Sequence, residues 1–295
     1  MRLYATMVLM TQMQKNNQMQ LNPILQEVVK VILSVNALSP ARILLLGYIN
    51  KEGKNFSILS GFCGEVTDFL DVNLLIISEN DNADRQRYLD MVEQRCKSFA
   101  KLTCIILSRA EIQSHVENKN RLAIVALQSG KVLYQKWEPA PHILKAFYEA
   151  EIKQESEAEL ASWYRRSHLF FQMAKVQFNL GNNGMAAFCT HQSLEQILIM
   201  LIISACGYRM GVHNPDRLLR MLSFHNAAAA DIFPGRTSEE KDRLCLLKKV
   251  YINYRYRIEM EVSDDDIRYF FKELEKLHAL ADLIIYPKIT APILI

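Results

Sequence analysis

The chain has 295 residues, half of them hydrophobic, with 35 Lys and Arg against 32 Asp and Glu. So apolar a composition at a net charge of +3 excludes a disordered chain and a nucleic-acid binder that works through a broad basic field. The length suits two domains, and neither half is a charged tail: residues 1–150 hold 17 basic and 14 acidic residues, and the rest hold 18 of each.

Cys63, Cys96, Cys104, Cys189, Cys206 and Cys245 form no Cys-x-x-Cys pair and no zinc-spaced cluster with histidine. They read as buried thiols in a reducing compartment. The longest apolar run, Ile197 to Ile203 extended by Ser204-Ala205-Cys206, falls short of the ~20 residues a membrane span needs. The N-terminus carries no cleavage-site pattern. A cytoplasmic protein with no membrane partner is expected.

Residues 1–20 are rich in Met and Gln without periodicity and predict a flexible leader. From there to 138 the elements alternate. Residues 22–37 read as an amphipathic helix on the spacing of Ile24, Leu25, Val28, Val29, Ile32 and Leu33. Ile43–Leu46 reads as a buried strand ending at Gly47, followed by a loop with Gly53, Gly61 and Gly64. Val72–Ile77 is a second strand, 83–99 a helix and Leu102–Leu107 a third strand. Helices over 109–117 and 120–129 lead through Gly130 to a short strand at Val132-Leu133-Tyr134. Pro139 and Pro141 mark a boundary, and 139–155 reads as a linking segment with a helix from 142 to 153. Helices follow at 156–180, 184–206, 214–224, 238–257 and 264–285. Their start signals are Asn214-Pro215, the capping-box spacing of Thr237 and Glu240, and the acids Asp264, Asp265 and Asp266 at a positive helix end. The bundle occupies 156–287, with a tail at 288–295. The fold class is α+β, a small α/β domain followed by an all-α up-and-down bundle. Two separate cores are expected, one around the sheet and one around the apolar 184–206 helix.

Two constellations carry chemistry. In the first, Leu46-Gly47-Tyr48 ends one strand and Asp71-Val72-Asn73 begins the next. This resembles the minimal nucleotidyltransferase domain over about residues 22–136, with Ala126–Tyr134 similar to its closing helix and strand. The family carries Gly-Ser for the triphosphate and Asp-x-Asp for Mg²⁺, whose two carboxylates alternation places on one strand face. Here Tyr48 stands for the Ser, Asn73 for the second carboxylate, and Leu102–Leu107 bears no acid. Asp68 or Glu65 could substitute only if their loop folds back. Asp71 is the residual catalytic candidate, and Mg²⁺ is a cofactor only if that site is active; no other metal site is expected.

In the second, His191-Gln192-Ser193-Leu194-Glu195, Gly211–Leu219 and Tyr254-Arg255-Tyr256 resemble the HEPN domain (higher eukaryotes and prokaryotes nucleotide-binding) over about 156–285. Its ribonuclease members carry Arg-x(4–6)-His, the His moving a proton. Arg255 and Arg257 have no His at that spacing. The resemblance implies a nucleotide site at Arg255, Tyr254, Tyr256 and His213, with Gly47 added from the sheet, and a homodimer through the bundle. From the residues themselves, Arg255 reads equally as a partner of Glu195 in a buried ion pair, and His191, on the same helical face as Glu195, reads as structural. Arg217 and Arg220 share a helix face and read as solvated.

The expected function is non-catalytic, a nucleotide-binding or dimerising interaction module with an eroded nucleotidyltransferase domain. The alternative is nucleotidyl transfer to a protein or RNA by Asp71 and Gly47, as in toxin–antitoxin systems. The third is RNA cleavage by the bundle.

Overall fold

The protein is described from a computed structural model covering residues 22–49, 55–60, 71–81, 84–140, 143, 156–256 and 261–289, without the side chains of 55, 60, 255 and 285–289. The expected leader, most of the linking segment and the 290–295 part of the tail lie outside the described residues, as do Cys63, Glu65, Asp68 and Arg257.

Helix α1 (Pro23–Leu33) starts where Asn22 accepts the Ile24 amide and Pro23 supplies a preset φ. Leu25, Val28, Val29 and Ile32 form its buried stripe. Strands β1 (Pro40–Ile49), β2 (Asn55–Ser57), β3 (Asp71–Ser78), β4 (Lys101–Ser108) and β5 (Lys131–Gln135) make one sheet in the order β2-β1-β3-β4. β5 pairs the first half of β1 and β2 its last residues. β1 and β3 are antiparallel, while β3 and β4 are parallel, which requires the crossover through α2 (Arg85–Cys96). Helices α3 (Arg109–Glu117) and α4 (Arg121–Ser129) are set by a capping box between Ser108 and Glu111 and by an Asn120 cap.

In the bundle, α5 (Glu157–Asn179), α6 (Asn183–Cys206), α7 (Pro215–His225), α8 (Ser238–Tyr256) and α9 (Asp264–Ile289) pack around α6. α6 is long and apolar enough to cross a membrane, but nearly all of that stretch is buried inside the protein. Gly207, at φ +73, ends it in the left-handed conformation that suits glycine. The α+β organisation follows the pattern read from the sequence.

The two expected cores are not separate. One hydrophobic cluster runs from Leu44, Leu46, Leu75 and Ile105 on one face of the sheet into α6, Met221 and Leu222 of α7, and α8 and α9. The second lies on the opposite face, where Ile43, Leu45, Val72, Leu74 and Ile76 meet α1 and α2. The division therefore follows the sheet, not the domain boundary. Polar contacts reinforce the junction. Arg121 donates to the Ser204 carbonyl (2.6 Å) and Asn120 to that of Gly207 (2.5 Å), at the end of α6 where carbonyls lack helical donors.

Strand β1 does not end at Gly47 but runs on to Ile49, because β2, unseen in the sequence, pairs with Gly47, Tyr48 and Ile49.

Candidate functional site at the domain junction

The register fixes the geometry of the expected catalytic residues. Ile49 lies opposite Asp71 and Gly47 opposite Asn73, while Asn73 lies beside Thr103 in the parallel pair. A register shift between Leu45 and Gly47 inserts one residue into β1. Such a bulge resets the alternation. Leu46 thus faces the bundle-side core, and Tyr48 is delivered to the opposite one, stacked on Phe56 (4.6 Å between centroids). A side chain at Gly47 would collide with the Phe56 carbonyl, so this glycine admits β2; it approaches backbone, and its packing gives no sign of a phosphate cradle.

Asp71, Asn73 and Thr103 form a buried polar row on the bundle side, at 3%, 1% and 1% exposure. Helix α7 covers it. Asn73 Nδ2 donates to the sulfur of Met221 at 3.4 Å. Asp71 Oδ1, Asn73 Oδ1 and Thr103 Oγ1 have no hydrogen-bond partner among the described residues, an unusual concentration of unsatisfied groups for a protein interior. Burial pushes the Asp71 carboxyl up to about 6 against the opposing pull of Lys101 and Arg220.

This row does not fit Mg²⁺. The ion takes hard oxygen ligands in strict octahedral geometry. Asn73 offers a neutral amide oxygen where a carboxylate would be needed, its Nδ2 being spent on sulfur, and Arg220 and Lys101 bring positive charge beside Asp71. No group of three or more His, Cys, Asp or Glu side chains among the described residues could hold a metal.

At the open end of the row lies a pocket of about 490 Å³, within the usual range of small-molecule sites. Asp71 and Lys101 enter from the strand starts, Asp216 and Arg220 from α7, and Lys241 and Lys248 from α8. Apolar wall comes from Ile232 and Phe233. Phe233 sits at φ +49, where its amide donates to the buried Glu273 carboxylate at 2.9 Å.

Arg217 and Arg220 are not solvated, contrary to the expectation from the sequence. Arg217 is 4% exposed and bonds Glu93 (3.0 Å) and Asp90 (2.6 Å) on α2. Arg220 reaches Glu93 (3.3 Å) and the Leu102 carbonyl (2.7 Å). The two arginines tie α7 to the sheet domain. Sequence reasoning also missed Lys101, Lys241 and Lys248, which are far apart in the chain and belong to no local basic run. The acids spaced along α2, Asp90 and Glu93, were the one signal that α7 had a partner.

The bundle residues expected at a nucleotide site fall into several environments. His213 Nδ1 lies 2.9 Å from Glu195 Oε1, and its ring stacks on Tyr251, as does that of His191. Buried His191 is held neutral, its pKa pushed down to about 4 by burial and then by His213. Tyr254 stacks on Phe188 (5.5 Å). Tyr256 is 73% exposed, and Gly47 lies apart in the sheet. The side chain of Arg255 lies outside the described residues; among those described, Glu195 pairs with His213. His278, the next histidine after Arg255, is no replacement base. It is buried, bonded to Ser167 (2.7 Å) and lowered to about 3 by burial and by His168.

Two solved structures are similar to this chain. One is the nucleotidyltransferase-like protein from Exiguobacterium sibiricum 255-15, 14% identical, with 89% of this chain and 77% of that one covered and a TM-score of 0.30. The other is TT1696 from Thermus thermophilus, 21% identical, with 43% and 94% covered and a TM-score of 0.26. No curated protein matches the chain. Residues 160–284 match the family model of the HEPN domain, and the helical half of this chain is a HEPN domain, joined to a mixed-sheet α/β domain.

Proposed function

We propose that this is a non-catalytic HEPN-domain protein, an interaction module that binds nucleotide without transferring it. Its sheet domain is read as a nucleotidyltransferase-like domain whose reactive face has become a domain interface. The observation that carries this reading is Met221 of α7 against Asn73, buried where a second metal carboxylate belongs. Asp71, close to cations, raised to about 6 and joined in the pocket by Asp216 of α7 and not by a second strand carboxylate, lacks the paired ligand set for metal-assisted transfer. Incubating the full chain with labelled ATP, Mg²⁺ or Mn²⁺, and protein or RNA acceptors tests it. No label should move; transfer that Asp71→Asn abolishes would overturn the reading in favour of a nucleotidyltransferase.

Self-association is the second part of the proposal. Leu169, Met173 and Val176 of α5 and its C-cap residue Leu180 are 49–72% exposed, and their 4-3-4 spacing lines them along one helix face. We propose a homodimer through this stripe. Light scattering should give twice the chain mass at micromolar concentration, and Leu169→Glu with Val176→Glu should return a monomer.

A further inference from the structure

One cysteine stands apart from the others. The sequence reads the thiols as buried, which holds for Cys96, Cys104, Cys189 and Cys206. Cys245 of α8 is exposed and lines the junction pocket. Helical spacing sets Lys241 one turn before it and Lys248 one turn after it, and both line that pocket too, as does Lys101 of β4. The ammonium groups of Lys241 and Lys248 make no hydrogen bond or ion pair with a described side chain, whereas Asp216 of the same pocket is already held by Arg220 (3.6 Å). A thiol among such cations meets anionic reagents in preference to cationic ones. A second group points to what sits beside it. Asp71 lines the pocket, is only 3% exposed and has Oδ1 without a partner among the described residues. An acceptor held without a donor calls for an N–H on the occupant. A small thiol of amino-acid type brings carboxylates, sulfur and N–H donors in one molecule, and a pocket of about 490 Å³ accommodates it.

We infer that Cys245 is a thiol-exchange site that takes up a small peptide-like thiol carrying carboxylate and ammonium groups and seats it in the junction pocket. The carboxylates of the adduct meet Lys101, Lys241 and Lys248, and Asp71 receives its ammonium or amide N–H. In the exchange the Cys245 thiol loses its proton to solvent, and its sulfur attacks one sulfur of the symmetrical disulfide of that small thiol. The bond from Cys245 Sγ to that sulfur forms, the S–S bond of the reagent breaks, and the departing thiolate takes up a proton. Cys245 is oxidised, one half of the reagent is reduced, and free thiol reverses the step. Cys245, Lys241 and Lys248 belong to the HEPN domain, and Asp71 and Lys101 to the sheet domain, so the adduct touches both.

The test uses the full reduced chain, intact-mass spectrometry and peptide mapping. The probes are oxidised glutathione, dithiodipropionate (carboxylates without ammonium), hydroxyethyl disulfide (uncharged) and cystamine (ammonium only). Each rate at Cys245 is divided by the rate at the same residue in the urea-unfolded chain, which cancels the leaving group of each probe. Oxidised glutathione should react first at Cys245, and Cys245→Ser should remove that adduct. The glutathione ratio should exceed the cystamine ratio by about tenfold, with hydroxyethyl disulfide between them. Lys241→Gln with Lys248→Gln should erase most of this preference, and Lys241→Arg with Lys248→Arg should keep it. Both lysines are at least partly exposed, so the melting temperature of the reduced variants should match wild type. Asp71→Ala should lower the glutathione ratio roughly threefold and leave the dithiodipropionate ratio unchanged. The inference is overturned if another cysteine reacts first, if cystamine or hydroxyethyl disulfide equals oxidised glutathione, if the double Gln variant keeps the wild-type preference, or if Asp71→Ala slows both carboxylate-bearing probes alike. No nucleotide takes part, so each of these outcomes is separate from nucleotide binding or transfer.

Discussion

The two faces of the sheet were built to different rules. On the face under α1 and α2, Ile43, Leu45, Val72, Leu74, Ile76 and Ile106 pack against helices of the same domain, and the buried hydroxyl of Ser78, next along β3, is satisfied by the Leu38 carbonyl (2.7 Å). On the other, apolar Leu44, Leu75 and Ile105 give way toward the strand starts to Asp71, Asn73 and Thr103, and the cover is α7, from the far end of the chain. Interiors tolerate few unsatisfied polar groups, so the first face is what stability alone would select. The second keeps three buried polar side chains, Asp71, Asn73 and Thr103, under a covering helix. The contrast shows that a domain interface can close over unsatisfied polar groups without being apolar throughout.

The sharpest way to break this contrast is to cut a cavity on each face. Leu74→Ala and Met221→Ala should each cost roughly 2–5 kcal/mol in denaturant unfolding, since both side chains are fully buried. If α7 were a loosely resting lid, Met221→Ala would cost far less. Arg217→Met comes next, at roughly 2–4 kcal/mol, because it leaves Glu93 with Arg220 and exposed Asp90 with the Gln86 amide as their remaining partners among the described residues.

Asp71 and Asn73 test whether the second face still behaves as a site. Asp71 titrates at about 6 in the folded protein, above its value of ~3.9 in an unfolded chain. The folded state therefore holds this proton longer, and stability falls as pH rises from about 4 to 6. Asp71→Asn should raise stability by about 2–3 kcal/mol at pH 7–8 and leave it nearly unchanged at pH 4; an equal effect at both pH values would refute the burial argument. Asn73→Asp restores Asp-x-Asp in sequence, yet should destabilise by roughly 1–3 kcal/mol at pH 8 and gain no stability from Mg²⁺ in a melting assay. A Mg²⁺-dependent rise would show that the face can open.

The buried histidines set an opposite slope. His191 and His278 titrate at about 4 and about 3 when folded, below the ~6.5 of an unfolded chain. Their contribution is complete above 6.5 and is lost as pH falls toward 4. The Asp71→Asn protein should therefore show the steeper acid loss of melting temperature. The smallest expected effect is Met221→Leu, below about 1.5 kcal/mol.

Most helices were legible because their signals are local. Asn214-Pro215 starts α7 and Ser108 with Glu111 starts α3 just where side-chain oxygens meet the first free amides. Alternation and apolar runs found β1, β3 and β4. What was illegible depends on partners distant in the chain. Residues 55–57 are too few for a periodic signal and become a strand only against β1. The inserted residue in β1 leaves no compositional trace, so Tyr48 read as a replacement in the site when it belongs to the opposite core. Arg217 and Arg220, one helical turn apart in a polar-looking helix, read as solvated until α2 supplied acids. Asn73 at the position of a second carboxylate was visible in the sequence; its partner in space, Met221, lies 148 residues away.

That separation has a consequence during synthesis. The sheet is complete once β5 leaves the ribosome at Gln135, but α7, which closes its polar edge, begins at Pro215. At roughly 5–20 residues per second, the newborn domain waits about four to sixteen seconds with that edge uncovered. A nascent chain halted between β5 and α7 would thus present an open strand mouth to chaperones or to neighbouring chains, and the pace of translation through α5 and α6 decides how long it does so.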